Sequence, residues 1–267
     1  MFRVSGLSSS LRSFLSVPKR TAAQAKETKV PEFSVIPLNT IGGHYEDVHG
    51  NVIDVRTKAH ISSKAMVFLG RDARDPSFRI KASNNHLIIS EDVDLFGSLV
   101  VQFMGAGSRV TIGERNWFES LMVIASDGSF FETGNDCSFQ SVTATVYEGG
   151  RIAIGNDCMF SHNVELWQTD THPIFDLATG DRINLPRDIC VRDHVWLGAD
   201  VTLLGGADIG AGSVVGAHAV TSNVFPEHVI LAGNPAKVIR TGITWEPEEL
   251  CLFNIKNISD CKRFRQT

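Results

Sequence analysis

The residue best suited to chemistry in this sequence is a histidine in a loop. His172 lies in Thr171-His172-Pro173, inside residues 167–184, which interrupt an otherwise regular repeat. An imidazole changes charge near neutral pH and can accept a proton, and the ring of Pro173 stiffens the backbone that presents it. A solvated loop histidine without a catalytic role is the alternative that the residue types leave open.

The other histidines and the cysteines indicate structure rather than metal chemistry. His162, His194 and His218 fall at corners of the repeat, where we expect surface positions, and the repeat contains no closely spaced histidine pair. We therefore expect no metal site. The cysteines are Cys137, Cys158, Cys190, Cys251 and Cys261. Because they form no C-x-x-C pair, we expect free thiols in a reducing compartment.

A six-residue repeat must position the loop. From residue 185 onward an aliphatic residue opens each hexad: Leu185, Val191, Leu197, Leu203, Ile209 and Val215. The fifth place holds a compact residue that we expect to turn inward: Ile189, Val195, Val201, Ala207, Ser213 and Ala219. This period matches neither a helix nor a simple strand. It is typical of a chain that makes one short strand and one corner per hexad, so that successive turns stack into a solenoid.

A longer repeat precedes the hexads. Three columns of residues recur at 21-residue steps: Ile112, Thr133 and Ile154; Phe118, Phe139 and Phe160; Asn116, Cys137 and Cys158. Each unit is expected to form one three-sided coil, and coils should stack at the strand spacing of about 4.8 Å. The column that contains the two cysteines should then face inward as core packing.

The chain divides into three segments. Residues 1–30 are basic and serine-rich, and we favour a short helix or frayed end packed on the first coil of the solenoid. A transit peptide, or a basic amphipathic segment in peripheral contact with a membrane or partner, is the alternative. Residues 31–240 should form the solenoid domain, beginning with irregular strands and an incomplete coil over 31–85. Residues 241–267 predict a C-terminal helical cap, because Pro247 and acidic residues suit a first helical turn.

Composition and charge exclude several functions. The formal net charge of −5 provides no basic field for nucleic acid. No apolar run approaches the ~20 residues of a membrane-spanning helix. The chain is 43% hydrophobic but 8% aromatic, which indicates a thin, tightly wound core.

Four motifs, in this order, resemble one enzyme family. IGNDCMFSHNVELWQTDTHPI, VWLGADV, GAGSVVGAHAV and AGNPAKVIR are similar to segments of the bacterial hexapeptide-repeat O-acetyltransferases, which include galactoside, maltose and capsule-polysaccharide acetyltransferases. The resemblance covers residues 87–240. It implies an all-β, left-handed parallel β-helix, a homotrimer, and acetyl-CoA bound between subunits. Periodicity alone does not give the hand of the coil.

The resemblance also implies roles for single residues. His172 matches the family's catalytic histidine, and Trp196 matches a tryptophan beside the active site, although packing between subunits is an equal alternative. Gln140 takes the place of an asparagine that contacts the acceptor sugar, and Asp170 is expected near the acceptor and His172. The positions expected to bind acetyl-CoA are Ala199, Ala217 and Ser222 along its pantetheine arm, and Lys237 and Arg240 at its phosphates.

We therefore expect a cytoplasmic enzyme that moves acetyl from acetyl-CoA directly to a hydroxyl of a sugar or cell-surface polysaccharide, with His172 as general base. Serine or a nucleotide sugar is the alternative acceptor. A non-catalytic trimeric scaffold for polysaccharide assembly is the alternative of another class. Such a scaffold would need neither the loop over 167–184 nor the Lys237 and Arg240 pair.

Overall fold

The computed structural model describes residues 33–56, 60–71, 80–248, 256, 257 and 261. Within them the chain forms strands and one short 3-10 helix, Leu38–Thr40. The strands are β1 (Ser34–Pro37), β2 (His44–Glu46), β3 (Val52–Val55), β4 (His60–Ile61), β5 (Met66–Leu69), β6 (His86–Ile89), β7 (Asp94–Phe103), β8 (Arg109–Ile112), β9 (Trp117–Ala125), β10 (Phe130–Thr133), β11 (Ser138–Val146), β12 (Arg151–Ile154), β13 (Met159–Phe160), β14 (Val164–Trp167), β15 (Ile189–Val191), β16 (Trp196–Leu197), β17 (Thr202–Leu204), β18 (Asp208–Ile209), β19 (Val214–Val215), β20 (Val220–Thr221), β21 (Val224–Phe225), β22 (Val229–Ala232) and β23 (Lys237–Thr241).

These strands wind into a parallel β-helix with three faces. The first face contains β4, the opening parts of β7, β9 and β11, and then β13, β16, β19 and β22. The second face contains β5, the closing parts of the same long strands, and then β14, β17 and β20. The third face contains β3, β6, β8, β10, β12, β15, β18 and β21. Neighbouring strands on each face are parallel, which confirms the predicted three-sided coil.

The 21-residue columns stack as the sequence predicts. Asn116, Cys137 and Cys158 are each at most 2% exposed. The Cys137 N–H donates to Asn116 Oδ1 over 2.7 Å, and the Cys158 N–H approaches Cys137 Sγ at 3.4 Å. The hydrogen bond with Cys137 and burial raise the pKa of the Cys158 thiol well above its ordinary value. Both cysteines are therefore unreactive core residues with free thiols.

An aromatic column fills the same coils. The rings of Phe118, Phe139 and Phe160 are fully buried, and their centroids lie 4.6 and 4.8 Å apart. This spacing matches the distance between stacked strands, so each coil contributes one ring to a continuous core. The predicted alignment of the three phenylalanines is confirmed by the strand register.

The hexad pattern holds from β15 onward but not at its predicted start. All six residues of the fifth place, from Ile189 to Ala219, are at most 1% exposed. Leu185, by contrast, is 66% exposed, and β15 pairs with β12 from Ile189. The prediction that Leu185 opens a hexad is therefore wrong. Leu185 has the residue type and the spacing of a hexad position but is not part of the coil. The excursion from the coil therefore extends over residues 168–188.

Each corner between faces bends through a residue with positive φ. The first corner joins the third face to the first, the second joins the first to the second, and the third joins the second to the third. Their residues with φ of 49–59° include Asp92, Arg115, Asp136, Asp157, His194 and His228 at the first corner, Asn163, Asp200 and His218 at the second, and Asp127 and Glu148 at the third. Asp, Asn and His are the non-glycine residues most often found there.

The two ends of the solenoid depart from parallel pairing. At one end β1 is antiparallel to β5, and β2 to β3, in agreement with the irregular strands expected over 31–85. At the other end β23 turns back antiparallel to β22. Of the predicted C-terminal cap, residues 241–267, Thr241 ends β23, and the other described residues (242–248, 256, 257 and 261) are not helical. The rest of that cap lies outside the described residues, as do residues 1–30. Within the described ranges, no helix has the length and apolar content that a membrane crossing requires.

Candidate active site

The excursion over residues 168–188 leaves the coil at the third corner, between β14 and β15. Its two arms face each other, because Phe175 and Arg182 form an antiparallel bridge and the Ile183 N–H donates to Ile174 O. Asp176 closes the tip by accepting hydrogen bonds from the N–H groups of Ala178 and Thr179. These bonds hold the pKa of Asp176 below its ordinary value.

His172 sits on the first arm and is exposed. Its N–H donates to Asp170 O over 2.7 Å, which closes a three-residue turn around Thr171 at a φ of 61°. A β-branched residue with positive φ is strained, at a cost of about 1–3 kcal/mol. The imidazole makes no hydrogen bond with any residue that the structure describes, so its ring nitrogens face solvent. The sequence prediction of an accessible loop imidazole agrees with this geometry.

Asn184 holds the backbone on both sides of His172. Its Nδ2 donates to Asp170 Oδ2 over 2.9 Å and to His172 O over 2.8 Å. Its Oδ1 accepts from the Ile174 N–H over 2.7 Å. The Asp170 carboxylate is therefore engaged by Asn184, whereas the sequence suggested proximity to the imidazole or the acceptor. Sequence reasoning missed Asn184, since a lone asparagine in a loop carries no periodic signal.

A bidentate ion pair fastens the excursion to the coil. Arg182 Nη1 and Nη2 donate to the two carboxylate oxygens of Glu148 over 2.6 and 3.0 Å, and Nη2 also donates to Asn184 O. The hydrogen bonds from Arg182 lower the pKa of Glu148. Glu148 is the residue with positive φ at the third corner, one coil before the excursion. Both members of this pair were also missed from the sequence.

A cavity of about 540 Å³ opens at the base of the excursion. Asp170, Arg187 and Ser222 line it together with Asn184 and Leu204. Two of the residues predicted for the site, Asp170 and Ser222, thus share one pocket. Arg187 forms no ion pair with any described carboxylate and lies over the backbone of Gly206. The pocket offers a cation and a hydroxyl close to the arm that bears His172.

A second group of predicted residues lies at the second corner. Ala199 and Ala217 are neighbours on adjacent coils, since the His218 N–H donates to Ala199 O. Gly198 has to be small there, because a Cβ would lie 2.9 Å from Ala217 N. Gln140 lies along the same corner, where its Oε1 accepts from Ser161 Oγ at 3.2 Å. Gly198, Ala199 and Ala217 thus form a run of small residues along this corner, with Gln140 two coils before Ala199. We call this run of small residues the trough.

The predicted cations, Lys237 and Arg240, lie on β23 at the C-terminal end of the solenoid. Lys237 and Arg240 are exposed on β23, where Lys237 pairs with Ala232 and Arg240 with Ile230. Neither forms an ion pair with a carboxylate among the described residues. Ser222 does not join this group. It lies five residues after Ala217 at the third corner, roughly 16 Å away for an extended strand. The structure thus places His172, Asp170 and Ser222 at the third corner, and Ala199, Ala217 and Gln140 at the second.

Trp196 lies on the first face and is 37% exposed. Its ring centroid is 6.0 Å from that of Trp245, which in turn stacks on His194 at 4.4 Å. His194 also lies 2.8 Å from Asp157 Oδ2 and accepts Trp245 Nε1 at its backbone oxygen. The expectation that His194 is a surface residue is therefore wrong, because the segment after β23 packs on the first corner.

The remaining candidates are surface groups. His162 and His218 are exposed, as the sequence predicts. In the described part of the chain, no three side chains of His, Cys, Asp or Glu converge as metal ligands. A larger cavity, of about 820 Å³, lies on the third face and contains none of the predicted site residues. Its lining contains Glu132, Asp193, Asp208 and Glu227 together with Arg192, which forms an ion pair with Asp208.

Two curated proteins are similar to this chain over its coils. The polysialic acid O-acetyltransferase of Escherichia coli O1:K1 / APEC is 32% identical over 157 residues, which are 59% of this chain and 43% of that protein. The polysialic acid O-acetyltransferase of Neisseria meningitidis is 31% identical over 148 residues, 55% of this chain and 58% of that protein. The chain thus spans about half the length of these relatives. No family model matches the sequence.

Two solved structures share the fold. The polySia-specific acetyltransferase NeuO superposes with a TM-score of 0.64 at 32% identity, over 69% of this chain and 82% of that chain. The polysialic acid O-acetyltransferase OatWY superposes with a TM-score of 0.61 at 31% identity, over 62% of this chain and 79% of that chain. The predicted left-handed parallel β-helix is confirmed.

Proposed function

We propose that this chain, which belongs to the hexapeptide-repeat O-acetyltransferase family, moves an acetyl group from acetyl-CoA to a hydroxyl of a polysaccharide. The observation that carries the proposal is the excursion at the third corner, which presents an exposed imidazole on a backbone fixed from both sides. Similar proteins are named for O-acetylation of polysialic acid, so polysialic acid is the first acceptor to test.

His172 supplies the proton transfer in this mechanism. A sugar hydroxyl is a poor nucleophile at neutral pH. The neutral imidazole accepts its proton while the oxygen attacks the thioester carbonyl, and the same proton then passes to the departing thiolate of coenzyme A. General base catalysis of this kind typically contributes about 10²–10⁴ in rate. The bond from oxygen to the acetyl carbon forms and the carbon–sulfur bond breaks, without a covalent intermediate on the protein.

The second corner suits acetyl-CoA. Ala199 and Ala217 leave the trough open for a thin chain such as pantetheine, and Gly198 cannot accept a larger side chain. Lys237 and Arg240, at the C-terminal end of the solenoid, have no carboxylate partner among the described residues and are free to meet phosphates. Gln140, toward the other end, offers an amide to a sugar. Trp196 lies on the first face, which leads into this corner, three residues before Ala199.

The separation of the two corners supports a site between chains. His172 belongs to the third corner and the acetyl-CoA trough to the second, so one chain cannot bring them together across the second face. We propose a homotrimer in which the excursion of one chain meets the trough of the next. The excursion has exposed apolar side chains that suit such a contact: Ile174, Phe175, Leu177, Ile183 and Leu185. Light scattering that gave a stable monomer of 29.2 kDa at micromolar concentration would exclude this assembly.

Mixed trimers test the shared site directly. His172→Ala damages the excursion, and Ala217→Trp blocks the trough. If each site uses two chains, every trimer that mixes the two variants keeps one intact site of three. Random assembly at equal amounts makes about three quarters of the trimers mixed, so activity returns to about one quarter of wild type. If each site lies within one chain, no mixture regains activity.

The reaction itself is tested by mass spectrometry of candidate acceptors incubated with acetyl-CoA. The panel contains polysialic acid, neutral capsular glycans, nucleotide sugars and free serine. We expect O-acetylation of a polysaccharide. A protein that trimerises but acetylates nothing in a broad panel would favour the scaffold. We also propose a cytoplasmic location, because the described cysteines are free thiols, which suit a reducing compartment.

A further inference from the structure

We infer that Asn184 is the positioning residue for the general base, and that it acts by holding the strained turn from which His172 projects. The inference rests on the proposed function, in which His172 accepts the proton. Asn184 is on the second arm of the excursion, twelve residues after His172. It contacts the backbone or side chain of residues on both sides of the imidazole and not the imidazole itself.

The turn at Thr171 needs an external restraint. A β-branched residue with a φ of 61° would relax to a negative φ if nothing opposed it. Relaxation at Thr171 would rotate the next residue, and the imidazole would swing away from its present direction. The hydrogen bond from the His172 N–H to Asp170 O closes the turn but cannot fix its orientation relative to the coil.

Asn184 supplies the orientation. Its Nδ2 binds Asp170 Oδ2 on one side of the turn and His172 O on the other, and its Oδ1 takes the Ile174 N–H. One carboxamide thus restrains residues before, at and after the turn. Three of its hydrogen-bonding positions are occupied by these contacts, which fits a dedicated support.

Asn184 is in turn held to the coil through Arg182. Arg182, two residues earlier, forms the bidentate pair with Glu148 and donates from Nη2 to Asn184 O over 3.1 Å and from Nε to Asn184 Oδ1 over 3.3 Å. Glu148 belongs to the coil corner, so the chain of contacts runs from the coil through Arg182 and Asn184 to the turn at Thr171. The imidazole is presented by the scaffold rather than by the loop alone.

The test begins with Asn184→Ala in the full chain. We expect kcat for acetyl transfer to fall about 100-fold, as displacement of a catalytic group by roughly 1 Å can cost. The acetyl-CoA dissociation constant, the oligomeric state and the melting temperature should stay close to wild-type values, because every hydrogen bond of the Asn184 side chain in the described chain is to a residue of its own excursion and none is to the coil core. A loss confined to affinity or thermal stability would mean that Asn184 only supports the fold.

The matched control is Asn156→Ala at the first corner. Asn156 makes the same kind of contacts, with its Oδ1 accepting from the Asn135 N–H over 2.9 Å and its Nδ2 facing Asp193 Oδ1 at 3.2 Å. It has no link to the excursion. We expect kcat to remain within about twofold of wild type. An equal loss of kcat in both variants would show that any corner amide matters, and would overturn the specific role of Asn184.

A relief variant tests the strained turn itself. Glycine adopts positive φ without strain, so Thr171→Gly removes the reason for the restraint. We expect Asn184→Ala to cost only about tenfold in the Thr171→Gly background, against about 100-fold in wild type. Equal losses in both backgrounds would contradict the inference.

His172→Ala separates this inference from the function on which it rests. If His172→Ala transfers acetyl at the wild-type rate, the proposed mechanism fails and the role of Asn184 fails with it. If His172→Ala is inactive while Asn184→Ala keeps the wild-type kcat, the mechanism stands and the inference about Asn184 alone is wrong.

Discussion

Removal of the middle ring of the aromatic column should be the most destabilising single change in the coils. Phe139 is fully buried, and its centroid lies 4.6 Å from that of Phe118 and 4.8 Å from that of Phe160. Phe139→Ala removes a ring between two others whose backbones are held apart by strand hydrogen bonds. The coil therefore cannot collapse into the space that is left, and a cavity remains.

The expected loss follows from these contacts. Truncation of a buried phenylalanine to alanine costs about 3–5 kcal/mol, and we expect the upper half of this range because both neighbours are fixed. Phe118 and Phe160 each stack on one phenylalanine of the column, so their alanine variants should lose about 0.5–1.5 kcal/mol less than Phe139→Ala. Phe130→Ala on the third face, where the side chain is 43% exposed, should change the free energy of unfolding by less than about 1 kcal/mol.

Urea unfolding at one fixed protein concentration measures all four variants. The midpoint should fall most for Phe139→Ala at an unchanged m-value, because the surface exposed on unfolding is the same. A Phe139→Ala midpoint no lower than that of Phe130→Ala would refute the continuous aromatic core.

Two further predictions concern the site. Lys237→Ala combined with Arg240→Ala should weaken acetyl-CoA by about 1.5–3 kcal/mol per lost contact but leave a pantetheine thioester without the nucleotide unaffected; equal weakening of both donors, by calorimetry, would assign these residues to the fold. Because Arg182 lowers the folded-state pKa of Glu148 below 4.5, the stabilisation from this pair is complete above that pH and is lost as the pH falls through the folded pKa. Amide hydrogen exchange of Ile183, corrected for intrinsic rates, should therefore become faster in the wild-type protein as the pH falls below about 4.5. In Glu148→Gln the same amide should already exchange fast at pH 7. Identical pH profiles of exchange in the two proteins would contradict the role of the ion pair.

The repeat of the sequence was enough to predict the coil and the interruption at residues 167–184, but not where the excursion ends or which contacts hold it. The columns that contain Cys137 and Phe139 recur at a fixed step, and a fixed step maps onto one stacked coil. Leu185 fitted the hexad spacing by coincidence, and nothing in a six-residue pattern distinguishes a loop leucine from a core one. Asn184, Arg182 and Glu148 interact through unique contacts across the excursion, which no periodicity records.

The spacing of two predicted site residues already indicated that they lie at different corners of the coil. Ala217 and Ser222 are separated by five residues, nearly one hexad, and one hexad is one side of the coil. The two residues therefore had to lie at different corners, although the resemblance assigned both to one cofactor. Similarly, Trp245 follows the repeats, so its stacking on His194 depends on how the chain turns back after β23, which the hexads do not determine.

The most direct test of the account is acetyl transfer by His172→Ala to an acceptor that the wild-type protein acetylates. We expect a rate lower by about 10²–10⁴, with the oligomeric state and the acetyl-CoA affinity unchanged. His86→Ala, on β6 of the third face, is the matched histidine control and should keep the wild-type rate. Transfer by His172→Ala at the wild-type rate would contradict the central claim that this histidine is the general base.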